Sequence, residues 1–228
     1  MFAILTAGIA PTLALLAFFY LKDRFDSEPL AMVFRTFLYG ALLVFPIMFI
    51  QYAFMEEGFG LNPFIYSFLI TGFLEEFFKW FIFLYTVYKY SDFDYMYDGI
   101  VYGAALSLGF ATVENILYLV AHGVENAFSR ALFPVSSHAL FGVIMGFYIG
   151  KAKFAKKKRK FTLLYALLLT VCLHGTYDYI LETTNGNWIY VLIPFMIGLW
   201  VLALRKVKVA NQHSLKKVIY EVPFKHHA

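Results

Sequence analysis

Seven side chains in this sequence could carry acid–base or metal chemistry, and all of them fall inside apolar stretches. They are Glu75, Glu76 and Lys79, then Glu114, then His138, then His174 and Asp178. Each carboxylate or ammonium placed in mid-membrane costs on the order of 2.5–3.5 kcal/mol, so the set calls for a compensating purpose. Glu75 and Lys79 are four residues apart and Glu76 and Lys79 three apart, so on a helix both acids neighbour the lysine. His174 and Asp178 are again four apart, which lets the carboxylate orient the imidazole. Such groups can deprotonate a water, stabilise an oxyanion and protonate a leaving amine, the three needs of peptide hydrolysis. They could equally supply zinc, which takes about three Glu, His or Asp ligands and a water in catalytic sites.

The elements that must position these residues are membrane spans. The chain has 228 residues, of which 61% are hydrophobic and 15% charged, well beyond the composition of a soluble domain. The apolar residues form blocks that reach the roughly 18 to 20 residues needed to cross a bilayer core. Seven spans are expected, at 1–21, 32–54, 62–88, 98–121, 131–150, 161–182 and 188–204. All should be helices, since a span in lipid must satisfy its backbone internally, and the ten-residue alternation of a membrane barrel is absent. The expectation is an all-α, polytopic membrane helix bundle. Residues 1–204 would form one membrane domain and residues 205–228 a basic tail. No basic residue precedes the first apolar run, so that run reads as a retained span and not a cleaved signal.

Lysines and arginines set the orientation. All of them except Arg35, Lys79 and Arg130 fall in the connections 22–31, 89–97 and 151–160 or in the tail, which share one side if seven spans exist. The positive-inside rule then places the N-terminus outside and the tail in the cytoplasm. The net charge of +4 therefore marks topology and not a nucleic-acid partner. Loop 151–160 has two readings, a stop-transfer anchor or an anionic-lipid or nucleic-acid patch; the first is preferred.

Depth suggests that the polar residues meet. At about 1.5 Å per residue, Glu114 and His138 lie roughly 10 Å from the outer ends of their spans, His174 roughly 12 Å, and Glu75 roughly 20 Å. All four spans can thus bring their polar residues into one layer nearer the outer face. A buried ion-pair network that only fixes packing remains the alternative reading of these residues. Other protease chemistries fit poorly. No His is followed by Glu, which excludes an H-E-x-x-H zinc motif, and neither G-x-S-G nor G-x-G-D occurs. The single cysteine, Cys172, allows no internal disulfide and reads as a small buried filler.

Written as motifs, the residues are E-E-F-F-K at 75–79, F-A-T-V-E at 110–114, H-A-L-F-G at 138–142 and H-G-T-Y-D at 174–178. In this order they resemble the EExxK, FxxxE, HxxxG and HxxxD motifs of the PrsW family of intramembrane proteases. That family is itself similar to the CAAX-processing and bacteriocin-processing membrane proteases. D-G-I-V-Y-G at 98–103, E-N at 114–115 and the D-x-x-D-x-E-P run from Asp23 to Pro29 add to the likeness, which extends over roughly residues 10–205.

The resemblance implies an enzyme of a bacterial cell membrane that makes the first, extracytoplasmic-side (site-1) cut in a single-pass anti-sigma factor. A second protease would then release the sigma factor in a stress response. Glu75, Glu76, His138 and His174 are the expected catalytic residues, with Glu75 as general base. Lys79, Glu114, Asp178, Phe110 and Gly142 are expected to support them, Gly142 by leaving room for close helix approach or for a substrate backbone. A glutamate-activated water without a resident metal is favoured. If zinc is used, His138, His174 and one of Glu75, Glu76, Glu114 or Asp178 would hold it. The competing classes are a proton-coupled transporter, which would show internal repeats and paired broken helices, and a non-enzymatic signalling partner.

Overall fold

The computed structural model describes residues 1–24, 27–184 and 186–221, with side chains described up to Leu215. Every regular element in it is helical. The principal helices are α1 (Phe2–Leu21), α2 (Leu30–Glu56), α3 (Leu74–Ile82), α4 (Asp98–His122), α5 (Ser136–Lys153), α6 (Arg159–Thr183) and α7 (Trp188–Glu221). Among the described residues, six helical segments are long and apolar enough to cross a membrane. The seventh crossing is the stretch around α3. There a short α turn at Pro63–Ile65, a π-helix at Tyr66–Phe73, α3 and a second π-helix at Phe83–Val87 follow without a break. Glu75, Glu76 and Lys79 lower the apolarity of this stretch, and its π turns divide it. The protein is thus a multi-pass membrane bundle of about seven spans, as expected.

Helix α4 is the centre of the bundle. Every residue from Asp98 to Thr112 is buried, among α1, α2 and α5. Small residues make this possible, because helices in lipid associate by close packing and not by hydrophobic expulsion from water. A Cβ built on Gly142 would stand 2.4 Å from the Gly103 carbonyl oxygen, and one on Gly146 would stand 1.8 Å from that of Gly99. The backbones of α4 and α5 therefore touch, one turn from His138. Hydrogen bonds lock α1 to α4: the Thr112 hydroxyl donates to Thr12 at 2.9 Å, and the Asn115 amide to the Gly8 carbonyl at 3.2 Å.

The basic connections gather at one end. The Asn211 amide donates to the Lys22 carbonyl at 3.1 Å, Lys153 to the Tyr90 carbonyl at 3.1 Å, and the Arg159 guanidinium to the Tyr88 hydroxyl at 2.8 Å. Two boundaries differ from expectation. Helix α7 does not stop at Leu204 but runs on to Glu221, because Val207, Ala210 and Ser214 keep a buried face there. The fifth span begins earlier than 131: helical turns from Val124 lead into a π-helix at Ala131–Val135 that contains Pro134. Asp26 of the D-x-x-D-x-E-P run, Lys225 and the side chains of Lys216 and Lys217 lie outside the described residues.

Candidate functional site

Helix α3 has a π-helix on each side. π-helices widen the turn and are frequent at functional sites. The helix presents Glu75, Glu76 and Lys79, all buried. The Lys79 ammonium is the hub. It lies 2.9 Å from Glu76 Oε1 and 3.3 Å from Glu75 Oε2, and it donates to His138 Nδ1 at 3.3 Å. It also stands 4.1 Å from the centroid of the Phe110 ring. A buried ammonium is tolerable only with such compensation, here two carboxylates and a ring face.

Each imidazole is held from both sides. His138 accepts from Lys79 at Nδ1, so its Nε2–H donates to Glu114 Oε2, 2.8 Å away. Glu114 Oε1 in turn takes the Arg130 guanidinium at 3.0 Å, and Arg130 Nε donates to the Asn115 side chain at 2.9 Å. His174 Nδ1 lies 3.0 Å from Glu76 Oε1, while its Nε2 lies 3.4 Å from Asp178 Oδ2 and 3.9 Å from Glu75 Oε2. The Thr71 hydroxyl donates to Asp178 at 2.5 Å, and the Gln51 amide donates to Glu75 Oε1 at 3.2 Å. The two imidazole rings meet edge to face with centroids 5.2 Å apart.

A cavity of about 350 Å³ opens onto this cluster, lined by Glu75, Glu114, His138, His174 and Asp178 together with Gln51 and Tyr66 among others. The side chains sort by access. Glu76 and Lys79 are sealed, at 0% exposure, whereas Glu75 keeps 11% and Glu114 33%. Glu75 is the carboxylate that reaches the cavity while also touching the lysine.

The seven residues singled out from spacing thus converge at one point, across four spans. Phe110 joins them as the ring beneath Lys79. Gly142 does not reach the cavity; of its two expected uses the structure shows the helix contact, against Gly103 and Ser107. Further residues line the cavity, among them Gln51, Tyr66, Thr71 and Arg130. Arg130 had the look of a connecting-loop charge, but a helical turn carries it back onto Glu114. Gln51 could have been noticed as a lone amide in an apolar span. Thr71 carried no signal, since threonine is common in membrane helices.

One oxygen or ring nitrogen from each of Glu75, Glu76, His138 and His174 lies within 4.8 Å of the others. Glu76 Oε2 is buried and has no hydrogen-bond partner among the described residues. Two imidazoles and two carboxylates, with one oxygen unspent, fit a zinc ion by donor type, and three of the four would leave the position a catalytic water needs.

Paired carboxylates, oriented imidazoles and a cavity inside a membrane bundle are the groups an embedded hydrolytic centre needs. The comparisons give the family. The profile described as "PrsW family intramembrane metalloprotease" matches residues 28–203. The chain is 58% identical to "Protease PrsW" of Bacillus subtilis (strain 168), over 96% of this chain and 100% of that protein. It is 55% identical to "Protease PrsW" of Halalkalibacterium halodurans, over 93% and 99% respectively. Identity to the protein of the same name in Clostridioides difficile (strain 630) is 36%, over 87% of each chain. No solved structure matches the chain. The chain belongs to the PrsW family of intramembrane proteases, as its motifs had suggested, and not among carriers or signalling partners.

Proposed function

We propose that this protease makes the first, extracytoplasmic-side cut in a membrane-anchored anti-sigma factor. The observation that carries the reading is the convergence of Glu75, His138 and His174 on one cavity at the end of the bundle away from the basic connections. The basic end, including α7 beyond Leu204, faces the cytoplasm by the positive-inside rule. The shortened substrate then becomes available to a second intramembrane protease, and the sigma factor is released.

Glu75 is the general base. It takes one proton from a water whose oxygen adds to the scissile carbonyl carbon. His174, held between Glu76 and Asp178, stabilises the resulting oxyanion and supplies the proton that leaves with the amine when the C–N bond breaks. His138 is aimed by Glu114, and Glu114 is fixed by Arg130. Lys79 keeps two adjacent carboxylates compatible with burial. Three of Glu75, Glu76, His138 and His174 would hold zinc, which when bound would supply a water of lowered pKa and a Lewis acid for the carbonyl. The roles of Glu75 as base and His174 as proton donor belong to the metal-free glutamate route that the sequence favours; in a metal route, which the family description favours, a residue that holds the ion would not also serve as base or proton donor.

The test is to incubate purified protein in detergent with a fluorescent single-span anti-sigma substrate, and to map the cut by mass spectrometry. A cut on the extracytoplasmic side of the span is expected. Persistence of activity after exhaustive chelation would select the metal-free route, and loss restored by added zinc the other. A folded protein that cuts no such substrate, or cuts only the cytoplasmic side, would refute the reading.

A further inference from the structure

The outer turns of α4 carry Glu114, Leu117, Tyr118, Ala121 and His122. This i, i+3, i+4, i+7, i+8 spacing puts them on one face of the helix. Together with Met48 of α2 they line a groove of about 250 Å³. The lining is apolar or aromatic between its two polar ends, Glu114 and His122. One wall is firmly fixed. The Arg130 guanidinium carbon stands 4.0 Å from the centroid of the Tyr118 ring, and the His122 ring stacks on that ring at 4.2 Å. Arg130 also holds Glu114 at 3.0 Å. A single cation thus fixes both the groove wall and the carboxylate that aims His138.

The groove adjoins the hydrolytic cavity, since Met48 and Glu114 line both. Helix α4 starts at Asp98 near the basic end, so its last turns carry the groove from the layer of Glu114 toward the extracytoplasmic end. Met48 and Ala121 are exposed on the surface of the bundle, so a membrane-anchored chain can reach the groove sideways from lipid. Consecutive residues of an extended peptide are about 3.8 Å apart. A peptide whose scissile carbonyl lies at Glu75 therefore has neighbouring side chains at the cavity walls, where this recess begins. Glu114 is already paired with Arg130 and His138, so the groove has little to offer a cation. The remaining lining suits a large apolar side chain.

We propose that this groove is a specificity subsite that takes one large apolar side chain of the substrate, a leucine or a phenylalanine, close to the scissile bond. The inference rests on reading the adjoining cavity as the hydrolytic centre, and not on the anti-sigma substrate. Ala121, the smallest side chain in the lining, sets the size of residue accepted. Met48 is unbranched and flexible and adapts to the occupant, while Tyr118, held by Arg130 and His122, is the rigid wall.

The experiment uses the full-length protein in detergent and a single-span substrate carrying glycine, alanine, leucine or phenylalanine in turn at each position flanking the cut. Wild type should prefer leucine or phenylalanine over glycine at one of these positions by about tenfold or more in kcat/KM. Ala121→Phe fills the groove. It should abolish that preference and still cut the glycine substrate within a few-fold of wild type, while Ala121→Ser behaves as wild type. Circular dichroism checks that each variant is helical. An unchanged preference in Ala121→Phe, or equal losses on every substrate, would overturn the proposal. A second readout needs no turnover. Substrates carrying benzoylphenylalanine at the same positions are photo-crosslinked to Glu75→Gln protein, and the attachment point is mapped by mass spectrometry. Attachment to Met48 or to the Leu117–Ala121 face is expected, and attachment only elsewhere would overturn the subsite. Full cleavage by Glu75→Gln with the preference intact would instead refute Glu75 as the base and leave the subsite standing.

Discussion

Two clusters of buried carboxylates sit toward opposite ends of this bundle and are built to different rules. In the cluster around α3, each acid meets a cation or an imidazole, and a cavity reaches Glu75 and Glu114. At the basic end, Glu28 and Asp98 are 4% and 0% exposed; they share a hydrogen bond with each other, and their other donors are neutral. Glu28 accepts from the Tyr102 hydroxyl, and Asp98 accepts from the backbone amides of Asp94 at 2.8 Å and Tyr95 at 2.6 Å. Burial, aided by the nearby Asp98 and opposed by the Tyr102 hydroxyl, pushes the Glu28 carboxyl up to about 9, so near neutral pH it holds its proton. The difference teaches what makes a buried acid useful. Charge partners keep carboxylates available as bases and ligands, while hydroxyl and amide partners turn them into pins between helices. Glu28 pins the first connection to α4, and Asp98 ties down the turn that leads into α4.

The comparison can be broken most sharply with His174→Asn. Both imidazole nitrogens face carboxylates of the reactive cluster, so the turnover number should fall by about a hundredfold or more while the helical content is kept. Activity within a few-fold of wild type would make His174 a packing residue. Arg130→Gln removes the cation behind Glu114 and lets His138 lose its aim; a drop of about tenfold in kcat is expected, with KM nearly unchanged. A change confined to KM would assign Arg130 to substrate binding instead. Thr71→Val withdraws the hydroxyl that Asp178 accepts. A cost of about 1 kcal/mol corresponds to a several-fold lower rate, readable in single-turnover cleavage, and an unchanged rate would remove Thr71 from the site.

The smallest effect is expected at the other cluster and appears in stability, not rate. A carboxyl pKa raised by folding favours the folded state fully below about 4.5, the unfolded value, and the contribution is lost as pH climbs through about 9. Thermal midpoints measured across that window should decline less steeply in Glu28→Gln than in the wild type. Parallel pH profiles would mean that Glu28 is not protonated in the folded protein.

Much of this was legible from the amino-acid sequence because lipid makes polarity informative. A Glu at position 75 or a His at position 174 inside an apolar run has few physical excuses, and their spacing already placed Glu75 beside Lys79 and His174 beside Asp178. What spacing could not supply was the pairing across helices. Nothing local says that Lys79 faces His138, or that Glu76 and not only Asp178 flanks His174. Those contacts depend on how α4 and α5 approach through their glycines. The π turns around α3 were equally hidden, since they depend on packing and not on residue type. They help to explain how Glu75, roughly 20 Å along its span by α-helical rise, joins residues nearer the outer end. The extension of α7 past Leu204 was missed because its lysines outweigh its buried stripe of Val207, Ala210 and Ser214.

The central claim is that Glu75 does chemistry while Glu28, an equally buried glutamate, does architecture. The direct measurement is single-turnover cleavage of one single-span substrate by wild type, Glu75→Gln and Glu28→Gln, purified side by side. A loss of about a hundredfold or more in Glu75→Gln, with Glu28→Gln close to wild type, is the predicted result. Full turnover by Glu75→Gln, or equal losses in the two variants, would contradict the account.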